Sequence, residues 1–504
     1  MGDAAQLEQA LAQLLASGTV EVHENGQWLA ALSTLHYEIR SEGRTTLLHL
    51  WSDERNLVRR VLRVVEHSPE RVVLEVQRFG RSKPNRLEFV CTDRERSAQR
   101  LTREKFCARF RQLLGEQFPD ERIDSLSTSP DLEHSFSGCF TRGLMHRGRR
   151  AWAVLAVSAA EDATTIDAIL SYGLLWLDWT RQHARDQAVA GLRLFLPKGS
   201  SRVTTHRLSA LEPSTYVEIY ELHETRRRAR LIDPHDIGNL ATWLTPRREV
   251  DLTLAEVRLA IDEIQALAPD AIGAAVPPGT RDVALRFRGV EFARWHRGKV
   301  FFGLGDDRRE LTFQNREALK ELVDELVTFR HPLVQDTDHP LYRLQAERWL
   351  ESMVQADPTR IDARLVPQYV YSQVPAFAAG DRGVIDLLGV TREGRLVVME
   401  LKATEDIHLV LQAVDYWLRV SWHHGQDDFH RYGYFPGIEL QPKPPLLYLV
   451  APAFRFHPAT EVVLRYVSRH VEVMRVGLNE DWRRGLRVIF RQERPTAALR
   501  GRGI

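Results

Sequence analysis

The sequence predicts a multidomain α/β protein with a β-rich N-terminal domain. Three observations predict this class. The chain of 504 residues is longer than a single hydrophobic core usually supports. In its second half, short apolar runs are followed by an amphipathic helical pattern, and part of the first half echoes that series. Residues 1–95 open with a short helix and continue as strand-like segments separated by glycine, serine, proline and asparagine.

The most informative segment is residues 386–402, which we expect to form two strands joined by a glycine-containing turn. Alternate side chains of a strand share a face, so Glu400 and Lys402 point the same way, while Leu401 points into the core. Asp386 lies on the neighbouring strand and can meet them. Two carboxylates beside one ammonium group suit a hard divalent cation, and that combination hydrolyses phosphodiesters. The alternative is a set of solvated charges or a surface ion pair.

The flanking residues favour the catalytic interpretation. Residues 384–385 and 396–399 are apolar runs of the kind that fill a buried sheet, so charged groups at their ends emerge from a core. After Lys402 the pattern becomes helical, with apolar and polar positions three and four residues apart. Gln412 lies on that helix and can face the same cleft.

This ordered set of residues resembles the PD-(D/E)XK nuclease superfamily, particularly its RecB-like and mismatch-endonuclease branches. In that superfamily a helix carries glutamate, one strand carries aspartate, the next carries Glu-x-Lys, and a following helix often carries glutamine. The resemblance covers about residues 340–455. Residue 385 is isoleucine where proline is common, and Glu351 competes with Glu347 for the helix role. The matching positions are Glu347, Asp386, Glu400, Lys402 and Gln412.

The resemblance implies a restriction-endonuclease-like α/β core and a magnesium-dependent deoxyribonuclease, with manganese as a substitute. It assigns Glu347, Asp386 and Glu400 to the metal, Glu347 either directly or through water. It also implies that Lys402 positions water or stabilises charge and that Gln412 orients water or phosphate. DNA is favoured over RNA on the resemblance alone. The alternatives are a non-catalytic nucleic-acid-binding scaffold, and a ribonuclease or defence effector switched by a partner.

Part of the first half echoes the nuclease-like segment. Residues 153–162 match residues 397–406, and the same spacing pairs Tyr172 with Tyr416. Shorter echoes on either side keep their order. The alternative is that any two strand-helix-strand segments look somewhat alike. If the echo is real, we expect a degenerate, metal-free copy of the nuclease core that replaces the second subunit of a dimer and makes an internal pseudo-dimer.

The catalytic residues are missing from the echo. Letter-by-letter matching puts Ala156 at the place of Glu400 and Ser158 at the place of Lys402, and it puts Arg109 opposite the helix glutamate. None of these can replace a metal-binding carboxylate. We therefore expect a β-rich domain over 1–95, a degenerate nuclease-like domain over 96–222, a connector over 223–335 and a nuclease domain over 336–504.

The net charge and the cysteine content limit the classes of protein to which the chain can belong. The net charge is only +1, so a nucleic-acid surface must be local; the basic C-terminal residues Arg483, Arg484 and Arg487 are one candidate. Three scattered cysteines do not fit the spacing of a disulfide framework or a zinc ribbon. The N-terminus lacks the pattern of a secretory signal, and no segment is long and apolar enough for a membrane span. These features predict a cytoplasmic protein without a membrane partner.

Overall fold

The computed structural model describes residues 2–16, 20–32, 36–42, 45–51, 56–68, 71–78, 84–91, 93–131, 133–184, 186–224, 228–234, 242–247, 255–305, 307–378 and 383–494. The chain forms two compact units, each made of two separate stretches. The first comprises residues 1–99 and 248–352, and the second comprises residues 100–247 and 353–504. Within the described ranges, no helix is long and apolar enough to cross a membrane.

The N-terminal part of the first unit is β-rich, as predicted. Its elements are α1 (Gly2–Ala16), β1 (Val20–Glu24), β2 (Gln27–Ala31), β3 (His36–Glu42), β4 (Thr45–Trp51), β5 (Asn56–His67), β6 (Arg71–Gln77) and β7 (Asn85–Cys91). The strands form an antiparallel sheet in the order β2-β1-β7-β6-β5-β4-β3. The apolar side chains Leu7, Leu11 and Leu14 of α1 pack on buried residues of this sheet.

The second unit begins with a mixed sheet and its helices. The elements are α2 (Asp93–Gln117), whose first residues belong to the first unit, β8 (Arg122–Ser127), β9 (Phe140–Arg147), β10 (Arg150–Val157), α3 (Ala163–Asp167), α4 (Ile169–His183), β11 (Ala188–Pro197), α5 (Arg202–Leu208), β12 (Val217–His223) and β13 (Arg228–Ile232). The sheet order is β13-β12-β11-β10-β9-β8. The central strands β10, β11 and β12 are parallel, and the outer pairings are antiparallel.

A short strand and a small α/β region follow. The elements are β14 (Thr242–Leu244), α6 (Ala255–Gln265), β15 (Ile272–Ala275), β16 (Val283–Phe287), β17 (Val290–His296), β18 (Lys299–Phe302), β19 (Arg309–Glu310), α7 (Arg316–Phe329) and α8 (Pro340–Arg343). Strands β15 to β19 form an antiparallel sheet in chain order. Helix α7 is amphipathic and buries Leu319, Val323 and Leu326 against that sheet.

The remaining elements complete the second unit. They are α9 (Ala346–Ala356), which begins in the first unit, β20 (Tyr371–Ala378), β21 (Val384–Val390), β22 (Leu396–Leu401), α10 (Leu409–Gly425), α11 (Asp428–Arg431), β23 (Leu446–Pro452), α12 (Ala459–Tyr466), β24 (Glu472–Leu478) and β25 (Val488–Glu493). The sheet order is β14-β20-β21-β22-β23-β24-β25. Here β22, β23 and β24 are parallel, and the other pairings are antiparallel.

The two mixed sheets share one topology. Strands β8 to β13 follow one another in the same spatial order and directions as β20 to β25. The helices match as well, because α4 and α10 each follow the third strand, and α5 and α12 each follow the fourth. Both sheets contribute to one continuous hydrophobic core that contains side chains of α4 and α10.

The strand register corrects the positions that letter matching assigned to the echo. The neighbouring strands β11 and β23 both end in a proline, which gives a common reference point. Leu155 pairs with Leu194 and Glu400 pairs with Leu449, and each of these partners lies three residues before that proline. The residue equivalent to Glu400 is therefore Leu155, and Val157 is equivalent to Lys402. The assignments to Ala156 and Ser158 were wrong by one residue. Ala156 faces the opposite side of the sheet, where it packs with Phe106 and Phe110 of α2.

One buried carboxylate anchors the N-terminal sheet. Glu24 is 3% exposed and accepts two hydrogen bonds of 2.8 Å from Arg59, with further bonds from Arg78 and Asn85. Burial by itself raises the pKa of Glu24, but the hydrogen bonds and charges of the two arginines outweigh burial and lower the pKa to about 2.

This shift predicts acid sensitivity of the N-terminal sheet. Because the pKa of Glu24 falls from 4.5 to about 2 on folding, its contribution is fully present above pH 4.5 and is lost as the pH falls to about 2. The contribution is on the order of 3 kcal/mol. Glu24→Gln should lower the melting temperature at neutral pH and flatten its dependence on pH in this window, followed by circular dichroism. Glu8→Gln, at an exposed position of α1, is the control. Parallel curves for wild type and Glu24→Gln would refute the assignment.

Candidate active site

The two strands β21 and β22 bring two carboxylates side by side. Leu387 pairs with Met399 and Leu388 with Val398, so the next positions along the two antiparallel strands are Asp386 and Glu400. Opposite residues of an antiparallel pair lie on the same face, with their Cβ atoms about 5 Å apart. The Oδ2 atom of Asp386 also accepts a 3.0 Å hydrogen bond from the backbone N–H of Leu401.

Lys402 completes this group at the end of β22. Glu400 is 1% exposed and Lys402 is 8% exposed, so the lysine is buried rather than turned to solvent. Its Nζ atom lies 3.4 Å from Oε1 of Glu400 and 3.3 Å from Oδ2 of Asp406. A buried carboxylate next to a buried ammonium group in this arrangement differs from the solvated surface pair that was the alternative.

Helix α10 adds two polar side chains. Nε2 of Gln412 donates a 3.3 Å hydrogen bond to the hydroxyl of Tyr416 one turn later. Burial raises the pKa of Tyr416 to about 12, and the negative charges of Glu400 and Asp386 add to the shift, against the opposing hydrogen bond from Gln412. Tyr416 therefore stays protonated at neutral pH and retains a hydroxyl that can donate a hydrogen bond.

The helix glutamate belongs to the other unit. Glu347 lies in the first turn of α9, within residues 248–352, whereas Asp386, Glu400 and Lys402 belong to the second unit. The competing residue Glu351 is 4% exposed and accepts a 2.8 Å hydrogen bond from Arg348 in the same helix. The role of Glu347 at the site therefore stays a prediction.

Two of the three side chains that were assigned to the metal ion lie together. Over the described part of the chain, no group of three or more histidine, cysteine, aspartate or glutamate side chains is arranged to hold a metal ion. Magnesium, however, is commonly bound through one or two carboxylates, with waters and substrate phosphates filling its other positions. The adjacent carboxylates of Asp386 and Glu400 fit that requirement, because both are hard oxygen donors on one face of the sheet.

His423 in the last turn of α10 and His430 in α11 each pair with an aspartate. Nδ1 of His423 is 2.8 Å from Asp428, and Nδ1 of His430 is 2.8 Å from Asp427. The first pair is buried and ties the end of α10 to α11, while the second lies at the surface. These contacts give the histidines a structural role.

The part of the second unit built on β8–β13 contacts helix α10, which packs on β22. Nδ1 of His206 on α5 donates a 2.9 Å hydrogen bond to Asp415 on α10, and Asp415 also accepts a 2.6 Å bond from Arg419. Burial by itself raises the pKa of Asp415, but the bond from His206 and the charge of Arg419 keep the pKa below its usual value. At the start of the helix, His408 lies 3.3 Å from the hydroxyl of Ser171 on α4.

Two residues at the site have no role in the sequence-based prediction. Tyr416 entered the sequence analysis only through the helical pattern and the echo of Tyr172, although its spacing of four residues from Gln412 places the two side chains on one helix face. Asp406 is four residues after Lys402, but no periodic pattern covers the intervening turn. The fold shows why both matter, since each contacts a residue of the predicted set.

Comparison of the chain with protein-family models and with characterised proteins found no match to either. The resemblance to the PD-(D/E)XK superfamily therefore rests on the quoted residues.

The buried network on α10 predicts a large cost for breaking it. Asp415→Ala leaves Arg419, which is 1% exposed, without its carboxylate partner. We expect the free energy of unfolding to fall by roughly 3 to 5 kcal/mol, measured by chemical denaturation with tryptophan fluorescence. The matched control is Asp427→Asn, which removes the charge paired with His430 at the surface and suits the left-handed backbone of this position, where φ is 55°. It should cost less than about 1 kcal/mol. Equal effects of the two substitutions would contradict the assignment.

Proposed function

We propose that the chain is a magnesium-dependent nuclease that hydrolyses phosphodiester bonds, with DNA as the favoured substrate. The observation that carries the proposal is the placement of Asp386 opposite Glu400, with Lys402 buried beside Glu400 at the end of the same strand. The site lies at the carboxyl ends of parallel strands, where open α/β sheets bind their ligands. The preference for DNA comes from the family resemblance.

The chain's own residues divide the work of hydrolysis. Asp386 and Glu400 would hold the metal ion, which when bound supplies positive charge that neutralises the phosphate and favours ionisation of an attacking water. Lys402 places a fixed ammonium charge beside Glu400, where it stabilises the negative charge that develops on the phosphate oxygens. Gln412 and Tyr416 offer hydrogen-bond donors on the helix above.

The reaction itself needs no covalent intermediate with the protein. A bond forms between the water oxygen and phosphorus, and the bond from phosphorus to the departing sugar oxygen breaks. The water loses one proton, and the leaving oxygen takes up one. Burial lowers the pKa of His408, and the charges of Arg207 and Lys402 lower it further against the opposing charge of Asp406, so His408 is neutral at neutral pH.

The upstream copy takes the place of a second subunit in this proposal. Leu211 and Val467 form an antiparallel bridge, in which Glu212 N–H donates to Tyr466 O at 2.8 Å and Ser468 N–H donates to Ala210 O at 2.7 Å. The two segments follow the equivalent helices α5 and α12. A reciprocal contact between equivalent segments is the kind that joins the subunits of a two-fold dimer. Because Leu155 and Val157 replace the catalytic pair, one chain carries one catalytic centre.

Replacing the site residues tests the activity. Asp386→Ala and Glu400→Ala should abolish cleavage while nucleic-acid binding persists, because each removes a carboxylate on which the metal ion depends. Lys402→Ala should remove most of the rate, and Lys402→Arg should not restore it, since a planar guanidinium does not reproduce a compact ammonium group. The assay uses magnesium or manganese with single-stranded, duplex, mismatched and branched DNA, and with RNA.

Glu393→Gln is the matched control for that assay. Glu393 is an exposed carboxylate in the turn between β21 and β22, at the opposite end of the same strands, so its replacement should leave the rate unchanged. Cleavage by Asp386→Ala or Glu400→Ala at the wild-type rate would overturn the proposal. Cleavage of RNA alone would replace DNA as the substrate.

Mixing active and inactive chains tests the single catalytic centre. If the chain contains its own pseudo-partner, the cleavage rate should fall in direct proportion to the fraction of wild-type chains in a mixture with Glu400→Ala chains. Light scattering should give the mass of one chain under the same conditions. A fall steeper than proportional, together with a dimer mass, would show that two chains are required.

A further inference from the structure

A phenylalanine lies exposed beside the candidate site. Phe454 is 85% exposed and belongs to the 3-10 turn Ala453–Arg455, which directly follows β23. Single exposed apolar residues are common and need no explanation by themselves. Phe454 is informative because it follows β23, the strand that pairs with β22, which carries Glu400.

The turn lies at the edge of the sheet where Lys402 emerges. Strands β22 and β23 are parallel, Leu401 pairs with Val450, and Lys402 N–H donates a 2.9 Å hydrogen bond to Val450 O. The chain after Val450 therefore continues past the same sheet edge. Burial lowers the pKa of His457, and the carboxylates of Glu405 and Asp406 are near enough to oppose that shift. Asp406 also contacts Lys402, so the segment after Phe454 lies near a residue that contacts the site.

Arginines flank the exposed ring. Phe454 N–H donates a 3.0 Å hydrogen bond to Oε1 of Glu480, which follows β24 and joins this turn to the next one, Trp482–Arg484. Arg455 and Arg484 are exposed on these two turns, and Nε of Arg455 lies 3.7 Å from Oε2 of Glu480 in a partly exposed ion pair. This edge thus presents an apolar ring with one cationic side chain next to it in the chain and a second on the turn that Glu480 joins to it. The ring follows β23, which pairs with the strand that carries Glu400.

We propose that Phe454 stacks on an unpaired nucleobase while Arg455 and Arg484 contact neighbouring phosphates, so that the substrate is single-stranded at the site of cleavage. This inference rests on the proposed nuclease function. A base within a duplex has both faces covered by its neighbours, whereas an unpaired base has an open face that gains from stacking on an aromatic ring. Stacking of this kind tolerates any base, so the contact selects single-stranded over duplex substrate and does not select a base sequence.

A binding experiment separates stacking from charge. Full-length chains that also carry Glu400→Gln, which blocks cleavage, are titrated against fluorescent oligothymidylate and a blunt-ended duplex, and binding is read by anisotropy. Phe454→Ala should weaken binding of the single strand about tenfold and leave the duplex unchanged, whereas Phe454→Trp should retain single-strand binding. Phe313→Ala is the matched control, because Phe313 is 90% exposed in a 3-10 turn of the first unit.

Three results would overturn the inference: unchanged single-strand affinity in Phe454→Ala, an equal loss for single strand and duplex, or an equal loss in Phe313→Ala. Melting temperatures of the variants show that each is folded. Binding in this assay does not depend on catalysis, so its outcome is distinct from that of the cleavage assay. If wild-type chains cleave but Phe454→Ala binds normally, the stacking role fails and the nuclease function stands.

Discussion

The arrangement of the candidate site depends on a carboxylate that is almost completely buried beside a buried lysine. Removing Glu400 and Lys402 from water has a desolvation cost that their mutual attraction only partly offsets, and well-packed apolar residues in such positions are often more stabilising. The pair is therefore poorly explained by stability alone. Its position at the strand end, with Asp386 opposite and α10 above, favours a chemical role.

The sheet formed by β8–β13 provides an internal comparison. It has the same strand order, yet Leu155 and Val157 occupy the positions of Glu400 and Lys402, and both are fully or almost fully buried in the shared core. One sheet therefore has apolar packing where the other has an ion pair. The same backbone topology accepts either solution, so the charged pair is not a requirement of the fold.

The sequence predicted the strands, the helix and the pairing of Asp386 with Glu400 because these depend on local patterns. It could not predict the register of the echo. Strands buried on both faces, such as β10, lack the polar and apolar alternation that distinguishes one face from the other, so a shift of one residue leaves the apolar pattern almost unchanged. Tyr416 and Asp406 were missed for a different reason, since their roles arise from contacts that the sequence pattern does not encode. Glu347 lies in the part of α9 that belongs to the first unit, so its role at the site stays a prediction.

Contacts within the second unit also explain how α10 is positioned. The helix carries Gln412 and Tyr416 toward the sheet, and it is fixed at its start by Ser171 and in its middle by His206, both from the upstream copy. Moving α10 would separate Asp415 from His206 and leave buried charges exposed or without their partners, which is energetically costly. A site needs side chains held closely in place before the substrate arrives. Ser171 and His206, from the part of the second unit built on β8–β13, supply that support within the same chain.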